Sequence, residues 1–148
     1  MRMRKKKNLD NRLEQVGDYL LICRPESLDH RDAAQVQHLL DYAQLFGNQN
    51  PVYLEIGCGK GGFGCAFAQK HPEWNILCVE KTRNVLVQAC EMAQAQQISN
   101  IFFLCCAAEY LPAYLPEQSI AGIYLNFSCP FPKKKYAAHR LTHSRFLE

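Results

Sequence analysis

Two carboxylates in this sequence are placed where they could do chemistry. Glu55 is followed by the glycine-rich turn Ile56-Gly57-Cys58-Gly59-Lys60-Gly61-Gly62, and Glu80 lies 25 positions after it. Glycines at 57, 59, 61 and 62 let the backbone turn sharply and approach a ligand where a β-carbon would clash. Dinucleotide folds use a similar turn to seat a pyrophosphate on a helix N-terminus. An acid directly before the turn repels a pyrophosphate and suits a ligand carrying positive charge.

Hydrophobic periodicity supplies the elements that must hold these acids. Val52 to Ile56 reads as a short strand running into the turn, and Phe63, Ala66, Phe67 and Lys70 fit a helix that Pro72 closes. Asn75 to Val79 reads as a second strand ending at Glu80, and Val85, Leu86, Ala89 and Ala93 give one apolar helical face. Ile101 to Cys105 is a third strand, followed by a short helical stretch interrupted at Pro112. Pro116 to Ser119 is a turn and Ile120 to Phe127 a fourth strand. Upstream, Val36, Leu39, Leu40 and Ala43 predict a helix over Asp32 to Phe46, stopped by Gly47 and followed by an Asn48-to-Pro51 loop.

Apolar strands alternating with helices predict an α/β fold: a doubly wound, Rossmann-like parallel sheet with helices on both faces. Such sheets bind ligands at the carboxyl ends of their strands, beside the reversal of strand order. Glu55 to Gly62, Glu80, Cys106 to Glu109 and Asn126 onward all fall at such ends. S-adenosylmethionine, with its ammonium and sulfonium, meets the charge requirement at Glu55. An acid at the position of Glu80 suits ribose hydroxyls.

Composition bounds the rest. The 148 residues are 48% hydrophobic, enough for one globular domain spanning 1–148 and too few for two ordinary ones. No apolar run approaches the roughly 20 residues a membrane span needs, and no signal region follows the basic start, so a cytoplasmic location is expected. The eight cysteines include no Cys-x-x-Cys pair and mostly lie in apolar segments. Reduced, buried thiols are therefore expected, with no metal site. Net charge is polarised along the chain. The arm 1–10 is net +4, residues 11–117 are net −5, and residues 118–148 are net +4. Basic ends on an acidic middle fit a polyanion partner, with nucleic acid foremost, or equally a pair of solvated surface segments.

The sequence resembles the bacterial tRNA (guanine-N7)-methyltransferase family, of the class I S-adenosylmethionine-dependent type. The likeness is carried by Arg2-Met3-Arg4-Lys5-Lys6, Asn8-Leu9-Asp10, Arg12-Leu13, Leu54 to Gly62, Val79-Glu80-Lys81 and Ala108-Glu109-Tyr110-Leu111. Its most distinctive part is Tyr124-Leu125-Asn126-Phe127-Ser128, then Pro130, Pro132-Lys133-Lys134 and Arg140-Leu141-Thr142-His143. The resemblance implies methyl transfer from S-adenosylmethionine to N7 of a guanine in tRNA. It implies cofactor contacts from Glu55, Gly57, Cys58, Gly59, Glu80, Lys81, Ala107, Ala108 and Asn126. It also implies substrate contacts from Lys133, Lys134 and Arg140, with both basic ends on the tRNA backbone.

The chain departs from that pattern in three places. Ala107 stands where the family carries an Asp beside the adenine, and Cys129 stands at the catalytic or substrate-binding Asp. The family also continues through further strands, so the chain reads as C-terminally short, with an exposed apolar edge that invites homodimerisation. Guanine N7 offers an in-plane lone pair and no proton, so the chemistry needs alignment and a fixed electrostatic site rather than a base. Cys129 is a weaker acceptor than Asp for a guanine edge, and activity is expected to be reduced or absent. The alternative is a nonenzymatic domain that binds S-adenosylmethionine or RNA. A nucleophilic role for Cys129 would need a lowered thiol pKa, and Ser128 rather than Pro precedes it.

Overall fold

The computed structural model describes residues 4–22, 39–126, 133–135, 142 and 144. Its elements run α1 (Leu9–Gln15), β1 (Leu20–Ile22), α2 (Tyr42–Phe46), β2 (Val52–Ile56), α3 (Gly62–Lys70) and β3 (Asn75–Val79). There follow α4 (Arg83–Ala95), β4 (Ile101–Cys105), a 3-10 helix (Ala108–Ala113) and β5 (Gly122–Tyr124). The five strands form one sheet in the order β1-β4-β3-β2-β5, and every pairing is parallel.

Alternation along each strand sends side chains to both faces. On one face Ile76, Cys78, Ile101 and Phe103 pack with Cys65, Phe67 and Ala68 of α3 and Leu86, Ala89, Cys90 and Ala93 of α4. On the other, Val52, Leu54, Leu77, Val79 and Leu104 pack with Leu111, Ala113 and Tyr114. Both faces of the central strands are covered, which is why they read as largely apolar runs, with Asn75 opening β3 and Glu55 set into β2. All five residues of β3 are buried.

The chain steps outward from β2 to β3 to β4, then returns across the sheet to β5 on the far side of β2. The reversal of strand order therefore lies between β2 and β5, where Glu55 is in register with Tyr124. This is the crevice-forming position of open α/β sheets.

The structure corrects three boundaries. Leu39 and Leu40 are not helical; α2 starts at Tyr42, and the Asp41 carboxylate caps it by accepting from the Gln44 N–H at 3.1 Å. The expected stop at Gly47 holds, with φ 73°, while residues 32–38 lie outside the described part. β5 is shorter than the predicted Ile120-to-Phe127 strand, although the Ala121 N–H still reaches Val52 O at 2.8 Å. Pro112 lies inside the 3-10 helix rather than interrupting it.

One strand was not expected. β1 pairs with β4, and its three residues are too few for a period to register. It covers the sheet edge that β4 would otherwise expose. Among the described residues no helix is long and apolar enough to cross a membrane.

Candidate functional site

The glycine turn gets its shape from its own hydrogen bonds. Gly57, Gly59 and Gly61 have φ of 77°, 56° and 84°, a region L-residues enter at a cost. The N–H groups of Gly57 and Cys58 both donate to Val79 O, at 2.8 and 3.0 Å. The Gly61 N–H donates to Cys58 O at 3.0 Å, and the Gly59 N–H donates to Glu80 Oε2 at 3.2 Å. Four of the turn's donors are thus engaged within the protein. A pyrophosphate cradle would present those donors to its ligand.

The glycines divide by what surrounds them. A β-carbon on Gly57 or Gly59 would meet no protein atom within 4 Å. One on Gly61 would stand 2.7 Å from the Ala89 β-carbon, so this glycine lets the turn lie directly on α4. Gly64, inside α3, would bring a β-carbon to 2.5 Å from Cys78 Sγ and 3.2 Å from Glu55 Oε2. A glycine in a helix interior costs roughly 0.5–1 kcal/mol relative to alanine; at Gly64 that cost makes room for Glu55 beneath the helix.

Glu55 is 1% exposed. Its partners are weak: Asn126 Nδ2 donates to Oε1 at 3.4 Å and the Cys78 thiol to Oε2 at 3.7 Å. Burial raises its pKa above the ordinary glutamate range, and these two hydrogen bonds only partly counter it. A buried carboxylate with weak donors favours a cation placed against it. Glu80 is different. It is partly exposed, and both of its oxygens accept backbone N–H bonds, from Gly59 at 3.2 Å and Thr82 at 3.1 Å.

The residues expected to contact a cofactor gather at one end of the sheet. Glu55 and the turn follow from β2, Glu80 and exposed Lys81 from β3, Ala107 and Ala108 from β4, and Asn126 from β5. Ala107 is the extended residue that opens the 3-10 helix. Cys58 is buried and faces the core as well as the turn. Lys133 and Lys134 are exposed. Cys129 and Arg140 lie outside the described residues.

The described cysteines, 58, 65, 78, 90, 105 and 106, are free thiols, and all but Cys106 are buried. Burial pushes the Cys65 thiol up to about 11 and those of Cys90 and Cys106 up to about 12. Among the described residues no three His, Cys, Asp or Glu side chains gather as a metal site.

Sequence reasoning missed three participants: Cys78, Gly64 and the Val79 carbonyl. Gly64 carried a signal, since a glycine within a helical pattern marks close approach. Cys78 looked like any small apolar residue of a buried strand, and a backbone carbonyl has no signature at all.

Residues 49–148 match the model of the Methyltransf_4 family, described as "Putative methyltransferase". The chain is 37% identical over all 148 residues to a tRNA (guanine-N(7)-)-methyltransferase of Macrococcus caseolyticus, covering 65% of that protein. It is 34% identical over 148 residues to the protein of that name from Oceanobacillus iheyensis, covering 64% of it. Identity to the Listeria monocytogenes protein of that name is 42% over 106 residues, which is 72% of this chain and 50% of the relative. The chain thus spans about 65% of the length of the curated relatives that it matches from end to end. The matched span takes in the glycine turn, both acids and every strand after β1, and the chain belongs to the Methyltransf_4 family.

Proposed function

We propose that the site binds S-adenosylmethionine and that the protein methylates N7 of a guanine in tRNA. The observation that carries the first half is Glu55: a buried, weakly satisfied carboxylate at the strand-order reversal, beside a turn four of whose N–H donors are already engaged. That combination suits a cationic nucleoside and disfavours a pyrophosphate. The second half rests on the relatives named tRNA (guanine-N(7)-)-methyltransferase.

The residues present fit the cofactor. Gly57 and Gly59 leave an open surface that β-carbons would fill, between the two acids. Glu55 would accept from the ammonium, with Asn126 holding the carboxylate in place. Glu80, already oriented by two backbone N–H groups, would accept from ribose hydroxyls. Lys81, Cys58, Ala107 and Ala108 would line the nucleoside, Ala107 without the carboxylate the family carries there. When bound, S-adenosylmethionine supplies an electrophilic methyl group on sulfur. The protein's part is then to exclude water and align the acceptor, because guanine N7 needs no proton removed.

In this reading Lys133, Lys134 and Arg140 contact the RNA, and Cys129 occupies the position that orients the guanine. One domain over 1–148, a cytoplasmic location and pairing of two copies along β5 complete it. The 59% exposure of Ile123 on that strand favours the pairing.

Calorimetric titration with S-adenosylmethionine, run beside a methyl-transfer assay on unmodified tRNA, tests the proposal. Binding with transfer is expected. Binding without transfer selects the alternative, a nonenzymatic S-adenosylmethionine- or RNA-binding domain, which the Ala107 and Cys129 departures favour. No binding rejects both as far as the cofactor is concerned.

A further inference from the structure

Asn84 is one of three buried polar residues in the described structure, at 9% exposure, and the chemistry above does not use it. Both ends of its amide are spent on the N-terminal arm, about 80 residues away in sequence. The Lys6 N–H donates to Asn84 Oδ1 at 3.0 Å, and Asn84 Nδ2 donates to Arg4 O at 2.8 Å. The amide thus grips the arm's backbone as a neighbouring strand would, with one acceptor and one donor two residues apart.

Further contacts extend the grip along α4. Arg12 pairs with Glu91 at 2.6 Å, Gln94 Nε2 donates to Gln15 O at 2.8 Å, and Leu9 and Leu13 pack on Val87. Residue 4 lies at 84, residue 12 at 91 and residue 15 at 94, so α1 runs parallel to α4. The basic end of the arm is therefore at the start of α4, directly after Glu80, Lys81 and Thr82. Arg4, Lys5 and Lys7 are exposed there beside exposed Lys81, with Lys6 partly buried. Asp10 offsets only Lys5, at 2.7 Å.

We propose that Asn84 is a positioning residue for RNA. It pins the arm so that Arg4, Lys6 and Lys7 form a fixed rim on the Glu80 side of the site, shaped to follow a sugar-phosphate backbone. A loose lysine-rich arm pays its ordering cost on binding, and a pinned one has paid it on folding. The inference rests on the tRNA reading above and adds the residue that sets how tightly the backbone is held.

The test measures affinity of the full chain for an unmodified tRNA transcript across a salt series. Four proteins are compared: wild type, Asn84→Ala, the triple variant Arg4→Gln/Lys6→Gln/Lys7→Gln, and the two combined. The triple variant is expected to flatten the log affinity–log salt slope by about 2–3, close to one unit per lost phosphate contact. Asn84→Ala is expected to weaken binding about tenfold in the wild-type arm and less than about twofold once the arm is neutral. Its affinity for S-adenosylmethionine should stay within about twofold of wild type.

Should Asn84→Ala lose its folded circular-dichroism signal, Lys6→Pro against Lys6→Gln replaces it, since only the proline removes the N–H that Asn84 accepts. Additive losses, an unchanged tRNA affinity, or a wild-type chain with no salt-dependent affinity for the transcript each overturn the proposal. An equal Asn84 dependence on anionic lipid vesicles would overturn the assignment to RNA. Asn84-dependent binding without methyl transfer leaves the inference standing and removes the proposed activity; transfer that ignores Asn84 does the reverse.

Discussion

Glu55 and Glu80 end adjacent parallel strands, yet the fold treats them as opposites. Glu55 is sealed beneath α3 with a distant amide and a thiol for company. Glu80 sits at the surface with two backbone N–H groups fixing its oxygens. The contrast teaches how a site can be only half organised by its own fold. Glu80 is held in place whether or not a ligand is present, while the negative charge on Glu55 is unfavourable until a cation arrives. Burial sets the cost at the first acid, and backbone geometry sets the orientation at the second.

The sharpest way to break the comparison is Glu55→Gln. A hydrogen bond to a charged group contributes about 1.5–3 kcal/mol, so S-adenosylmethionine affinity should fall about 10- to 100-fold by calorimetry. The unliganded protein should move the other way and become more stable at neutral pH. Because the folded-state pKa of Glu55 is raised, its ionisation penalty is absent below the ordinary glutamate range. The penalty sets in as pH climbs from that range through the raised value and is constant above it. Melting temperatures of wild type and Glu55→Gln should therefore converge in acid and separate as pH rises. A variant less stable than wild type at every pH would show that Glu55 is structurally satisfied after all.

Next in size is Gly64→Ala, which presses on Glu55 without changing its charge. The added carbon would sit 2.5 Å from Cys78 Sγ and 3.2 Å from Glu55 Oε2. Overpacking in a core costs typically about 1–3 kcal/mol, and a denaturant titration should show a loss in that range. Combining it with Cys78→Ala should recover part of the loss, because the nearest obstructing atom is then gone. No recovery would place the strain in the backbone of α3 rather than beneath it.

Why one acid announced itself fully and the other only in part is a question of range. Glu80 could be read because its surroundings are local: Thr82 is two residues away, and the turn it braces is a sequence motif. Glu55 could be located, since strand and turn flank it, but its burial depends on Gly64, Cys78 and Asn126, three residues on three other parts of the chain. The same rule governs the fold. β2, β3 and β4 were legible to the residue because strands buried on both faces are largely apolar runs bounded by turn residues. β1 was not, because Leu20–Ile22 becomes a strand only by pairing with Phe103–Cys105. The expected helix ran on spacing alone through Leu39 and Leu40, and there Asp41 breaks it by offering its carboxylate to the Gln44 N–H and starting α2 at Tyr42.

A smaller effect is expected at Glu80→Gln. The amide keeps one acceptor, so one of the two N–H contacts survives and the other faces a donor. A stability loss of about 1 kcal/mol and roughly a several-fold loss in S-adenosylmethionine affinity are expected. Glu80→Gln should thus lose stability under conditions where Glu55→Gln gains it. A Glu80→Gln protein more stable than wild type would erase the distinction between the two acids.

The smallest effect belongs to the thiols of the core and its margin. With pKa values pushed up to about 11 at Cys65 and about 12 at Cys90 and Cys106, almost no thiolate exists near neutral pH. Native protein treated with iodoacetamide at neutral pH and read by mass spectrometry should carry no label at these three positions, while denatured protein should carry it at each. Cys106 is the decisive one, because it is partly exposed while Cys65 and Cys90 are buried. Labelling at Cys106 alone would show that its protonated state is not what shields it. Labelling at Cys65 as well would mean that the lid α3 forms over Glu55 opens readily, and the ionisation penalty assigned to that carboxylate would have to shrink with it.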